Sequence, residues 1–205
     1  MLAIIDYGLG NVRSVQNAFE YLGADVCVTR DPATLAVASA LVLPGVGAFA
    51  EGMARIEHHG LRAPIAEALG SGKPFLGICL GFQLMMASST ENGETAGLGL
   101  FPMHVRRLQT EARLPHIDWA RLSPAADACW PDRLLKGVEN EYFYFVHSYG
   151  VLGKWGDSAV CIAEYGHCPF VAAIEQGNVV GTQFHPEKSG EAGLQLLSNF
   201  LGFAA

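Results

Sequence analysis

Short apolar runs alternate with helix-spaced stretches through the first half of the chain. Leu2 to Tyr7 is an apolar run ending at a glycine, and Asn11 to Leu22 then sets Val12, Val15, Phe19 and Leu22 three to four residues apart. This predicts a strand and then a helix. Asp25 to Arg30 and Ala40 to Pro44 repeat the strand signal, Met53 to Ile56 and Leu61 to Leu69 are helical in period, and Lys73 to Cys79 is a strand again. Strands alternating with helices predict a parallel sheet with helices packed on it. After residue 100 the character changes: Met103 to Leu108, Tyr142 to Tyr149, Val160 to Tyr165, Phe170 to Glu175 and Val179 to Phe184 are strand-like with little helix between them. A β-rich second half follows. Ser189 to Leu201 puts Leu194, Leu197 and Leu201 on one face of a closing helix. With no repeat, linker or low-complexity stretch, residues 1–205 read as a single α/β domain.

Half of the residues are hydrophobic and 16% are charged, which excludes a disordered chain. Thirteen basic residues against 20 acidic ones give a net charge of −7, so the chain lacks a basic footprint for nucleic acid or an anionic membrane. Its start, MLAIIDYGLGNVRSV, has no basic n-region or cleavage site, so no secretory signal is expected and a cytoplasmic setting is. The 19-residue uncharged run from Pro32 to Ala50 is interrupted by Pro44, Gly45 and Gly47, and reads as a helix, a strand and a loop instead of a membrane span. Five cysteines without C-x-x-C spacing indicate neither a disulfide framework nor a metal site. The 24 glycines exceed the usual ~7% share and mark tight turns or close backbone approaches.

Three stretches could carry chemistry. In Lys73-Pro-Phe-Leu-Gly-Ile-Cys-Leu-Gly-Phe-Gln, a strand runs through Gly77-x-Cys79-x-Gly81 into a helix, the nucleophile-elbow pattern with cysteine in place of serine. The turn points Cys79 at the first N–H groups of the helix, which favour a thiolate or an oxyanion. An arbitrary cysteine there is equally a small buried strand-end residue; the two flanking glycines argue for the elbow. Val179-Val-Gly-Thr-Gln-Phe-His185-Pro-Glu187 supplies a base and an orienting carboxylate, since i and i+2 of an extended segment point the same way. Alone, it is also an ordinary loop. Leu41-Val-Leu-Pro44-Gly45-Val46-Gly47 ends a strand in a loop that could offer backbone N–H groups to an anion, or be a plain turn. Gly8-Leu-Gly10 resembles a dinucleotide fingerprint, but Arg13 stands where the third glycine belongs, so no nucleotide cofactor is expected there.

Together, IDYGLGNVRSV, LPGVGAF, GKPFLGICLGFQL, YFVHSYG, GTQFHPEKSG and GLQLLSNFL resemble the glutaminase (HisH-type) subunit of imidazole glycerol phosphate synthase, a class I glutamine amidotransferase of histidine biosynthesis. The likeness runs from Ile5 nearly to Leu201. GICLG with QFHPE marks class I amidotransferases broadly, whereas DYGLGN, HSYG and PEKSG narrow the match to this subunit. It implies a flavodoxin-like domain, with a mostly parallel central sheet flanked by helices, that needs no cofactor. By position it implies Cys79 as nucleophile, His185 as acid and base, and Glu187 as the group orienting the histidine. The oxyanion would be held by the Leu80 N–H and a backbone N–H of the Gly45-Val46 loop, and glutamine by Gly47, Gln83, His147, Ser148 and Tyr149. The resemblance further implies a heterodimer with a (β/α)8 synthase subunit that consumes the ammonia, faced by Trp119, Tyr144 and Lys188.

One departure is visible. Where the family reads P-H-M-G-W-N, this chain has Pro115-His-Ile-Asp118-Trp-Ala120, a carboxylate in the place of a glycine and a lost amide. That bears on partner docking and leaves open a paralogous glutaminase feeding a different synthase, for example in surface-sugar biosynthesis. A catalytically dead scaffold or a cysteine peptidase are further readings; the complete Cys79, His185 and Glu187 set argues against the first.

Overall fold

The computed structural model describes residues 1–153 and 155–204. The first half alternates as expected: β1 (Leu2–Ile5), α1 (Val12–Tyr21), β2 (Val26–Thr29), α2 (Pro32–Val37), β3 (Ala40–Leu43), α3 (Phe49–His58), α4 (Arg62–Gly70) and β4 (Phe75–Ile78). Strands β1, β3 and β4 are buried along their whole length, which is why they read as continuous apolar runs. Helix α2 starts where Asp31 accepts a hydrogen bond from the Thr34 N–H and Pro32 fills the first turn.

Then come α5 (Leu80–Leu84), β5 (Met86–Ser89), β6 (Thr95–Ala96), β7 (Phe101–Arg107), β8 (His116–Arg121), β9 (Ser123–Pro124), β10 (Tyr142–His147), β11 (Tyr149–Leu152), β12 (Ala159–Tyr165), β13 (Cys168–Gln176), β14 (Val179–Thr182) and α6 (Gly190–Leu201). The large sheet has the order β2-β1-β3-β4-β14-β13-β11-β7-β5-β6, with β12 beside β13 and β9 beside β12. From β2 to β14 the strands are parallel, and β13, β11 and β7 continue antiparallel. Counting β14 as the fifth strand, the parallel part has the flavodoxin-like order 2-1-3-4-5.

Strand residues feed the two faces alternately. Leu2 and Ile4 join Val15, Phe19, Leu196 and Phe200 under α1 and α6, whereas Ala3 and Ile5 join Leu35, Ile56 and Ile65 under α2, α3 and α4. Among the described residues no helix is long and apolar enough to cross a membrane.

The run from Tyr142 to Tyr149 is two strands, not one. β10 pairs with β8 in a separate two-stranded sheet, while β11 enters the large sheet between β13 and β7. The chain changes sheets at Ser148, whose carbonyl accepts from the Leu108 N–H. Gly150 then passes so close to Leu108 and Phe170 that a Cβ would sit 2.9 Å and 3.1 Å from their side chains. The loops that follow β3, β4 and β14 gather at the carboxyl edge of the parallel strands, where sheets of this kind bind ligands.

Candidate active site

Cys79 stands between β4 and α5 with φ 53° and ψ −107°, a strained conformation for a residue with a Cβ. The backbone holds it: the Cys79 N–H donates to the Thr182 carbonyl at 2.7 Å, and the Cys79 carbonyl accepts from the Gln83 N–H at 3.0 Å. Both flanking glycines are required by crowding. A Cβ on Gly77 would lie 2.8 Å from the Phe82 Cα, and one on Gly81 would fall on the Leu43 carbonyl. The sharp turn therefore exists only because β3 and the first turn of α5 can approach the elbow without side chains between them.

His185 and Glu187 meet beside it, His185 Nδ1 and Glu187 Oε1 being 2.8 Å apart with both side chains buried. The route differs from the alternation expected along an extended segment. Only His185 is extended; Pro186–Lys188 forms a 3-10 turn that swings Glu187 back under the imidazole. The turn is fixed by the Ser189 hydroxyl, which donates to the His185 carbonyl, and by the His185 N–H, which donates to the Tyr144 carbonyl. Burial opposes a positive imidazole, but the nearness of Cys79 and Glu187 outweighs it and holds the His185 pKa well above the usual histidine range. The ring's Nε2 is buried and closes no hydrogen bond.

The loop after β3 packs against the elbow. Its Gly45 carbonyl accepts the Leu80 N–H at 3.2 Å, so one of the two expected oxyanion donors is occupied. Gly45 must be glycine: a Cβ would fall on the Tyr7 hydroxyl and lie 2.9 Å from the Leu80 Cβ. That hydroxyl is buried without a partner, and burial, then the Cys79 charge, push its pKa up.

Cys79, Leu80 and Gln83 open onto a cleft of about 440 Å³, walled by Val46 and Gly47 on one side and by His147, Ser148 and Tyr149 on the other, with Lys188 at its rim. The Tyr149 carbonyl is a hub, accepting from Gln83 Nε2 at 2.8 Å and lying 2.8 Å from His147 Nδ1. Burial, opposed by that bond and reinforced by His116 and His185, pushes His147 down to about 3 and keeps the ring neutral.

Residues 3–202 match the family profile described as glutamine amidotransferase class-I. The HisH subunit of imidazole glycerol phosphate synthase from Methanothermobacter thermautotrophicus is 50% identical over 201 residues, spanning 98% of each chain. The one from Salinibacter ruber is 44% identical, over 98% of this chain and 93% of its own. The chain is a class I glutamine amidotransferase of the HisH family. A crystal structure described as a glutamine amidotransferase, 20% identical, superposes with a TM-score of 0.77 over 99% of this chain and 98% of its own, which supports the fold.

In this amidotransferase the three residues assigned to the partner face lie together, Trp119 and Tyr144 outside the cleft and Lys188 at its rim. Trp119 of β8 and Tyr144 of β10 are cross-strand neighbours with ring centroids 5.9 Å apart, and Lys188 Nζ stands 5.9 Å over the Tyr144 ring. Ile117 and Tyr142 extend this exposed face.

Two site residues escape the sequence reading. Glu91 lines the cleft and accepts the Phe49 N–H at 2.8 Å, at the start of α3. Lying in the turn after β5, it has no motif to announce it. Gln183 is fully buried with its Nε2 3.8 Å from the Cys79 sulfur. It sits two residues before His185, where the chain bends beyond the end of β14, and no motif singles it out.

Proposed function

We propose that this amidotransferase hydrolyses L-glutamine to glutamate and ammonia at Cys79 and passes the ammonia to a (β/α)8 synthase subunit of a heterodimer. There it makes imidazole glycerol phosphate and aminoimidazole carboxamide ribonucleotide for histidine biosynthesis. The single observation behind this reading is the convergence of the strained Cys79 elbow, the buried His185–Glu187 pair and one cleft of glutamine size.

The Cys79 sulfur attacks the side-chain amide carbon of glutamine, and the carbonyl becomes an oxyanion. The His185 imidazolium, steadied by Glu187, gives its proton to the departing nitrogen, so ammonia leaves and a γ-glutamyl thioester remains. Water then loses a proton to the neutral His185 as it attacks the thioester, releasing glutamate and restoring the thiolate and imidazolium. Glu91 takes the α-ammonium of glutamine, and Gly47, Ser148 and Tyr149 take the rest of its amino-acid end. For the oxyanion, the Gly45–Val46 peptide turns over, removing the Gly45 carbonyl from Leu80 and bringing the Val46 N–H alongside it.

The aromatic face of Trp119, Tyr144, Ile117 and Tyr142, rimmed by Lys188, is the docking surface for the synthase. The curated relatives named above are all subunits of imidazole glycerol phosphate synthase, so the surface-sugar alternative is not favoured. The test is Cys79→Ala assayed with the synthase. Glutamine-dependent synthesis is expected to fall by a factor on the order of 10⁴ or more while synthesis from ammonium salt persists; glutamine turnover surviving in the variant would overturn the assignment.

A further inference from the structure

We propose that Gln183 is a positioning residue for the nucleophile, its amide N–H held against the Cys79 sulfur by a chain of side-chain orientations anchored at the Tyr149 carbonyl. This rests on the glutaminase reading of Cys79.

A backbone carbonyl can only accept, so the group Gln83 presents to Tyr149, 2.8 Å away, has to be its NH2. That same nitrogen lies 2.9 Å from Gln183. With one proton on Tyr149, Gln83 offers its second proton to Gln183, whose oxygen must therefore face it. The remaining end of the Gln183 amide is then the NH2, and it is this end that lies 3.8 Å from the Cys79 sulfur. No step in the chain leaves a free choice of amide orientation. His147 reinforces the anchor, because its Nδ1 is 2.8 Å from the same carbonyl and must carry the proton.

The backbone that carries Gln183 is fixed as well. The residue is fully buried, and its backbone N–H donates to the Ala172 carbonyl at 2.8 Å. The neighbouring Thr182 carbonyl holds the Cys79 N–H. A donor aimed at sulfur favours the thiolate over the thiol and steadies the sulfur both when it attacks and when the thioester releases it. Gln183 thus flanks Cys79 from the segment that also brings His185. The same orientation leaves the Gln83 oxygen to face the cleft as an acceptor, suited to the ammonium end of an amino acid.

The test uses the full chain with Gln183→Met, which removes the donor at similar volume, and Gln183→Glu, which turns it into a charged acceptor. Iodoacetamide alkylation is followed against pH at the Cys79 peptide by mass spectrometry, because Cys129 is exposed. Gln183→Met is expected to move the alkylation midpoint up by about one pH unit, and Gln183→Glu further. Glutamine turnover with the synthase present should lose roughly tenfold or more in kcat with KM within about twofold. Folded variants that keep the wild-type midpoint overturn the proposal. A measurement on the wild-type protein covers the case in which neither variant folds: the ¹⁵N resonance of the Gln183 side-chain amide should shift with pH at the Cys79 alkylation midpoint, and a flat response overturns the proposal. Alkylation needs no glutamine, so a wild-type chain inactive on glutamine would count against the glutaminase reading alone.

Discussion

The Gly45 carbonyl accepts the Leu80 N–H across 3.2 Å, joining the loop after β3 to the residue that follows Cys79. With this bond in place the Leu80 N–H has nothing to give an oxyanion. The isolated chain is therefore expected to hydrolyse glutamine slowly, and the synthase with its nucleotide substrate to raise kcat by about 10²-fold or more, the usual worth of an oxyanion donor. Ammonia release measured with and without the partner reads this directly; equal rates would show that the bond does not limit turnover.

Gly81→Ala places a Cβ on the Leu43 carbonyl, where backbone would have to move. It should cost about 1–3 kcal/mol or more in urea unfolding and, by spreading β3 from the elbow, reduce glutamine turnover more than ammonium-dependent synthesis by the complex. Gly70→Ala, where a Cβ meets open space at the end of α4, is the control: it should leave turnover unchanged and stability unchanged or raised by up to about 1 kcal/mol.

His147 sets an acid limit on stability. Its folded pKa of about 3 lies below the ordinary 6.5, so between these values the unfolded chain binds a proton that the folded chain refuses. Stability therefore rises with pH across that window and is lost on acidification, at up to about 1.4 kcal/mol per unit. His116, stacked on Tyr165 and lowered by burial against the pull of Asp118, adds to the same trend. His185, with its raised pKa, has the opposite sign: its contribution is complete below about 6.5 and declines above it. Urea midpoints at pH 7 and pH 5 should show His147→Gln losing less stability on acidification than wild type, by about 2 kcal/mol. An unchanged difference would remove His147 from the account.

Trp119→Ala should weaken binding of the synthase by about 2 kcal/mol or more, as expected for a central aromatic of an interface, while the glutaminase rate of the isolated chain stays as it was. Calorimetric titration of the two subunits measures the first and ammonia release the second. Trp119 touches Tyr144 across the small sheet and does not line the cleft, so a loss of basal activity would contradict its placement.

Much of this molecule is legible from spacing alone, and the exceptions have physical causes. Strands β1, β3 and β4 announce themselves because burial on both faces leaves them uninterrupted apolar runs. The elbow is legible because two backbones must touch where Gly77 and Gly81 stand. Strand β5 is hidden because it follows the five-residue α5 with no turn residue between them, and β8 because its outer face exposes Ile117 and Trp119, which breaks the usual alternation. The split of Tyr142 to Tyr149 into two sheets depends on contacts at Gly150 from residues far along the chain. The pairing of His185 with Glu187 was legible, but its geometry was not, since the 3-10 turn depends on Ser189 and on the Tyr144 carbonyl. Glu91 and Gln183 act through position in space, and no local pattern marks them.

Strand β14 enters the sheet between β4 and β13, although it is the last strand in the chain. It carries Gln183 and His185 to an elbow made a hundred residues earlier, so on the proposed assignment a growing chain on the ribosome exposes Cys79 long before the His185–Glu187 pair can reach it. Ammonia production is thereby tied to completion of the sheet. A chain stalled or clipped before residue 179 is a thiol without an enzyme, and cannot waste glutamine.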